Sequence, residues 1–262
     1  MANIHPTAVV DPRAHLAEDV EIGPYVVIEG EVTLGSGCTV GPFCRLEGPL
    51  AVGPGNRFVS HCSVGAPPQD LKYKGEPTRA EIGPDNVFRE FVTIHRGSPG
   101  GGGVTRLGAS GLYMVGAHVA HDCQVGDFVI FANSGTLAGH VHVGDHATVG
   151  ALSAVHQFCS VGEYAFIGGG TIATKDVLPF MKTAGSRPAR CFGPNSIGLE
   201  RKGFSEARRD AIKRAWRLLH SASLTTTEAV ERIRTELADR PDAMRIADFV
   251  AASARGVVLA RG

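Results

Sequence analysis

From Ile4 to Ala173 an apolar residue recurs at every sixth position, and this beat limits the chain to very few folds. It runs through Ile22, Ile28, Leu34, Val40 and Leu46, pauses after Val64, and resumes at Ile82, Phe88 and Ile94. After a second pause it continues from Leu107 through Val119, Val125, Leu137, Val155 and Ile167. Four places after most anchors stands a small or β-branched residue, among them Ala14, Val20, Cys62, Cys123, Val141 and Thr171. Such hexads are the signature of a parallel β-helix. One hexad supplies a short strand and a corner, and three close a triangular coil of about 18 residues. The anchor points inward, and the residue four places on fills the tight corner. Coils stack at roughly 4.8 Å, and each buries its apolar faces only against its neighbours. Residues 18 apart in the sequence therefore lie above one another. The period does not fix the hand of the coil, and parallel crossovers are normally right-handed.

A narrow interior with many corners explains why aromatic residues are only 6% of the chain while glycines number 34. Cys38, Cys44, Cys62, Cys123 and Cys159 all fall on the inward corner position, where a small hydrophobe belongs. They are expected to be buried, reduced thiols, although Cys44 and Cys62 are 18 apart and stack. No segment is apolar enough for a signal peptide or a bilayer span, so a soluble, cytoplasmic protein is expected. The two pauses are loops: residues 67–81, with Asp70, Lys72 and Lys74 among Pro and Gly, and residues 96–106, whose glycine run suggests a mobile flap. Loops of this kind are either tolerated bulges or parts of a working face.

Beyond Pro179 the beat dissolves, and a small α-helical C-terminal domain is expected over 191–262, after a β-helix over 1–190. Residues 204–219 read as a helix with Ser205 at its cap; 226–237 and 244–254 read as two more, with Pro241 as the break between them. From Ile197 onward there are 13 Lys and Arg against 9 Asp and Glu. The excess concentrates in Arg201, Lys202, Arg208, Arg209, Lys213, Arg214 and Arg217. It is either a solvated face or a surface for an acidic protein or a phosphate.

Histidine carries the chemistry. Six of the eleven, His118, His121, His140, His142, His146 and His156, fall between 118 and 156. Gly139 lies one coil beyond His121, Gln157 one coil further, so His140 is within side-chain reach of His121. Both imidazoles occupy the outward part of their hexads, beside Asp122. One chemistry for this group is a general base oriented by Asp122, with a backbone N–H stabilising an oxyanion. The other is three histidines holding Zn²⁺ with an open water position.

The segments QDLKYKGEPTR (69–79), TIHRG (93–97), AHVAHDC (117–123), LAGHV (137–141) and HQFC (156–159) resemble the UDP-N-acetylglucosamine O-acyltransferase family of lipid A biosynthesis. The resemblance extends over essentially the whole chain, including both loops and a Gly203-Phe204-Ser205 opening of the tail. It implies a left-handed parallel β-helix with a helical tail, assembled as a homotrimer with active sites between subunits. It implies His121 as the base for the sugar 3-hydroxyl, Asp122 as its support and the Gly139 N–H as oxyanion donor. Asp70, Lys72, His118 and His140 would bind the sugar and neighbouring groups; His156 and Gln157 would lie toward the nucleotide, and Arg201 or Lys202 would reach phosphate. The donor would be an (R)-3-hydroxyacyl chain on acyl carrier protein. A thioester is already activated, so the implied mechanism uses no metal or other cofactor; neither nucleic acid nor stable membrane insertion belongs to it.

The buried position of Cys123 argues separately against a thiol nucleophile. Carbonic anhydration with zinc, a non-catalytic sugar-nucleotide module and the related N-acyltransferase are the competing functions. The last usually carries an additional domain before its repeats, and here the beat begins at Ile4. Gly169, in the run Gly168-Gly169-Gly170, matches the region that sets acyl length in the family. Gly169→Met is therefore expected to shift preference toward shorter donors; donors of graded chain length give the readout, and an unchanged profile defeats the assignment.

Overall fold

The computed structural model describes residues 2–259. Each hexad forms a short strand followed by a corner, and the strands stack in parallel into three sheets of eight, nine and eleven members, the last ending in one antiparallel pair. The register follows the period: Ile4 pairs with Ile22, Val119 with Leu137, and Leu137 with Val155. Across the loops it skips, pairing Phe58 with Phe88 and Ile94 with Val119. Anchors form one continuous core from Val20 to Val177, in which Phe58, Phe88, Tyr113 and Phe131 stack at 4.8, 4.9 and 5.1 Å. Ile4 is 42% exposed while Ile22 is 3%, because the first coil has no neighbour beneath it. The opposite end is covered by the tail. The expected β-helix followed by helices is the architecture found, in its left-handed form.

At most corners the residue three places after the anchor adopts a left-handed backbone. Asp122, His140 and Phe158 have φ of 61°, 61° and 63°. The residue two places after the anchor gives no N–H to the ladder, and for that reason Pro6, Pro12, Pro24, Pro42, Pro54 and Pro84 are tolerated there. All six cysteines, Cys191 included, are buried and free.

The tail departs from expectation in several places. Met181–Ala184 and Arg190–Pro194 pair antiparallel, which no periodicity announced. The helices are α1 (Ser196–Arg201), α2 (Glu206–His220), α3 (Thr226–Glu236) and α4 (Pro241–Ala252). Ser205 caps α2 as expected, accepting from the Arg208 N–H, and Thr225 with Glu228 forms a capping box on α3. Pro241 does not separate two helices by breaking one. It is the first residue of α4, where its missing N–H costs nothing and its fixed φ suits the helix. Arg208 is not part of a free basic face: its guanidinium donates to both carboxylate oxygens of Asp242 at 2.7 and 2.9 Å and lies 3.7 Å over the Phe204 ring. Lys213, Arg214 and Arg217 remain exposed. Both loops are shorter than expected, because Arg79–Ile82 and Val104–Leu107 return to the ladder early.

Candidate functional site

One corner gathers the expected catalytic residues. It follows the sheet that contains His118–Val119, Thr136–Leu137 and Ala154–Val155, so successive coils present His121 and Asp122, then Gly139 and His140, then Gln157 and Phe158. Backbone bonds tie these coils together, the His140 N–H donating to the His121 carbonyl at 3.0 Å and the Phe158 N–H to that of Gly139 at 3.2 Å. His121 Nδ1 lies 2.7 Å from Asp122 Oδ2. The Asp122 side chain is fully buried, while that of His121 keeps 15% of its surface. Since a carboxylate only accepts, the proton of a neutral His121 belongs on Nδ1, which leaves a lone pair on Nε2.

The surrounding imidazoles favour the neutral form. Burial pushes His95 down to about 4 and lowers His118. Burial also lowers His140, against the opposing charge of Asp122. His140 meets His121 edge-on at 5.1 Å and stacks on Phe158 at 4.4 Å. His118 Nδ1 is engaged by Thr93 Oγ1 at 2.7 Å, and His95 stands edge-on to His118 at 5.2 Å.

Gly139 sits at the hexad position whose N–H the ladder does not use. Among the described residues no acceptor is paired with it, whereas the equivalent N–H of Asp127 donates to Asp145 Oδ1 at 2.8 Å. The His121 ring leans so close over Gly139 that an added Cβ would stand 2.7 Å from Cε1 and 2.8 Å from Nε2. The His121 imidazole and an unpaired buried N–H are thus adjacent, an arrangement that suits acyl transfer through an oxyanion.

The loop at 96–103 supplies residues that the sequence did not single out. It is a compact turn packed on Asp122, with Ser98 only 2% exposed, and not the open flap its glycines suggested. Ser98 donates from its N–H to Asp122 Oδ1 at 2.8 Å and from Oγ to Oδ2 at 2.6 Å, while Thr105 Oγ1 accepts the Asp122 N–H at 2.8 Å. The register held the signal: the loop leaves the coil of Ile94, which stacks directly on that of Val119.

His121, Asp122 and His140 offer donor atoms within 4.8 Å of one another, a spacing that could accommodate a metal ion. The carboxylate, however, already accepts three hydrogen bonds, and His118, on the adjoining strand, is turned to Thr93. The geometry is that of an imidazole oriented by a carboxylate.

Other expected residues stand farther off. Asp70 is half-buried in the first loop, where its charge acts on His140; its carboxylate takes the Lys72 N–H at 2.9 Å, and Lys72 is exposed. His156 and Gln157 are exposed on the same corner one coil beyond His140. Gly169 is exposed on a different corner, where an added Cβ would meet the Ala151 carbonyl at 3.3 Å. Arg201 and Lys202 line a groove of about 560 Å³ on the third corner, with Ile130, Phe166, Asn195 and Ile197. Phe128, His146 and Tyr164 stack along that groove at 4.8 and 4.6 Å. Burial and the Lys202 charge lower His146.

Comparison with known proteins agrees with this geometry. A family profile described as UDP N-acetylglucosamine O-acyltransferase, domain 2, matches residues 176–258, and a bacterial transferase hexapeptide profile matches 13–48. The acyl-[acyl-carrier-protein]--UDP-N-acetylglucosamine O-acyltransferase of Alkalilimnicola ehrlichii is 54% identical over 98% of this chain and all of its own. That of Thiobacillus denitrificans is 52% identical over the same shares. The UDP-N-acetylglucosamine acyltransferase structure of Francisella novicida superposes with a TM-score of 0.96 at 32% identity, covering 99% of this chain and 95% of its own. LpxA of Acinetobacter baumannii gives 0.94 at 42% identity, over 97% and 99%. Full-length identity above half, together with the same coil and tail, means that this chain belongs to the UDP-N-acetylglucosamine O-acyltransferase family.

Proposed function

We propose that this protein transfers an (R)-3-hydroxyacyl group from acyl carrier protein to the 3-hydroxyl of UDP-N-acetylglucosamine, with His121 as general base. The observation that carries the proposal is the Asp122–His121 pair leaning over the unengaged N–H of Gly139. His121 Nε2 takes the hydroxyl proton as the oxygen attacks the thioester carbonyl. The carbonyl oxygen becomes an oxyanion received by the Gly139 N–H. Collapse breaks the C–S bond, and the imidazolium returns its proton to the departing thiolate, so the base is regenerated. Asp122 remains a carboxylate throughout and stabilises the transient imidazolium.

Asp70, Lys72, His118 and His140 take the sugar and its neighbouring groups in this reading; His156 and Gln157 face the nucleotide, Arg201 and Lys202 the phosphates, and Gly169 the acyl end. Exposed Lys213, Arg214 and Arg217 suit an acidic carrier protein. The division at 190/191 belongs to the same reading; the second hydrophobic core, which takes in the helices of the tail, begins earlier, at Leu178. So does a cytoplasmic location, consistent with no described helix being long and apolar enough to cross a membrane.

The base and the cationic groove stand on different corners of one prism. A complete site therefore forms when the His121 corner of one protomer meets the Lys202 corner of the next, and three such contacts close a ring. Co-purified hybrids of a His121→Ala chain with an Arg201→Ala, Lys202→Ala chain are expected to regain a measurable fraction of wild-type activity. Hybrids no more active than either parent count against shared sites.

The assay that tests the function combines purified protein, UDP-N-acetylglucosamine and (R)-3-hydroxyacyl carrier protein, with metal content measured in the same sample. Product acylated at the 3-oxygen without bound zinc is the expected result. Stoichiometric zinc with CO₂ hydration and no acyl transfer would overturn the reading.

A further inference from the structure

We infer that Ser98 is a positioning residue for the reaction, fixing through its hydroxyl the carboxylate that orients and tunes His121. The inference rests on the reading of His121 as the base. Asp122 Oδ2 is shared by two donors, Ser98 Oγ at 2.6 Å and His121 Nδ1 at 2.7 Å, while Oδ1 takes the Ser98 N–H at 2.8 Å. The serine is itself pinned. The N–H groups of Gly101 and Gly103 donate to its carbonyl at 3.1 and 2.9 Å, and the Gly97 N–H donates to the Arg79 carbonyl at 3.1 Å. Gly101 is pressed so tightly on the Asp122 carboxylate that any Cβ would collide with it. The loop thus closes over the acid.

A carboxylate oxygen that receives a second donor has less charge to offer the first. Ser98 therefore holds the Asp122 oxygen in line with Nδ1 and also moderates how strongly that oxygen retains the imidazolium. Removing the hydroxyl leaves the oxygen to His121 alone. The imidazolium becomes more stable, so the acidic limb of activity moves to higher pH. The other titratable groups around His121 are untouched by the change: His140 from the next coil, His95 and His118 from the adjoining strands, and Asp70 acting through His140.

The test compares Ser98→Ala, Ser98→Thr and Ser98→Cys with wild type by kcat, KM for both substrates, the pH profile of kcat/KM and melting temperature. Ser98→Ala is expected to lose about tenfold in kcat, the usual consequence of removing a hydrogen bond to a charged group. Its KM values stay within about twofold and its acidic limb moves up by about half a unit. Ser98→Thr, which keeps the hydroxyl, is expected to restore both. Ser98→Cys retains bulk with a weak donor and shifts the limb in the same direction, so a poorly folding alanine variant leaves the question decidable. An unshifted limb in either variant that folds would overturn the inference, even if the melting temperature falls. His121→Ala is run alongside: if it keeps wild-type activity, the base reading itself fails, whereas an inactive His121→Ala with an unshifted Ser98→Ala rejects only the role of Ser98.

Discussion

His121→Ala is expected to lower kcat about 10²- to 10⁴-fold, the range in which a positioned general base acts. The acceptor hydroxyl has a pKa far above neutral, so without Nε2 its proton must leave to water during attack on the thioester. What survives is binding and the Gly139 donor, which leaves a residual rate above background. KM for the sugar nucleotide should change little, because the imidazole removes a proton and carries no phosphate. Stability should hold as well: the ring lies on the outside of its coil, and the buried anchor Val119 and corner residue Cys123 on either side are untouched. The Asp122 carboxylate keeps both of its Ser98 donors, so the substitution strands no buried charge without partners. A variant that folds and turns over within tenfold of wild type would remove His121 from the chemistry.

Gly139→Ala is expected to cost about 10²-fold in kcat, although it adds one methyl group and keeps the backbone N–H. The new Cβ would stand 2.7 Å from His121 Cε1 and 2.8 Å from Nε2, well inside van der Waals contact. The clash falls on a side chain whose other nitrogen is tethered to Asp122 at 2.7 Å, so the ring must swing and break that bond or lift Nε2 away from the acceptor. Displacements near 1 Å at a reacting centre cost about this much. The substitution separates two roles for this glycine. Gly139 is not in the left-handed backbone region, so alanine is conformationally acceptable and the melting temperature should be nearly unchanged. Wild-type kcat in Gly139→Ala would show that the ring has room to move and that its close seat on Gly139 has no catalytic meaning.

Much of this was legible along the chain, for an identifiable reason. A hexad ties burial to position, so Val119, Leu137 and Val155 had to be core and the residues two and three places later had to face out at one corner. The same arithmetic put Gly139 and His140 one coil beyond His121 before any coordinate was known. The loops obey no period, and there the reading ran short. A run of glycines looked mobile, yet Gly97 and Gly101 sit too close to the Gly103–Val104 backbone and to the Asp122 carboxylate for any side chain, and Gly102 and Gly103 take φ of 89° and 78°. Arg208 looked like surface charge until the fold brought Asp242, 34 positions away, to its guanidinium.

The sequence alone determined the prism, its corners and the row of imidazoles, since repetition converts separation along the chain directly into height along the solenoid axis. Tertiary structure alone decided what closes over that row. Ser98 and the cationic groove reach their places through loop and tail packing, which depends on contacts between segments with no shared period.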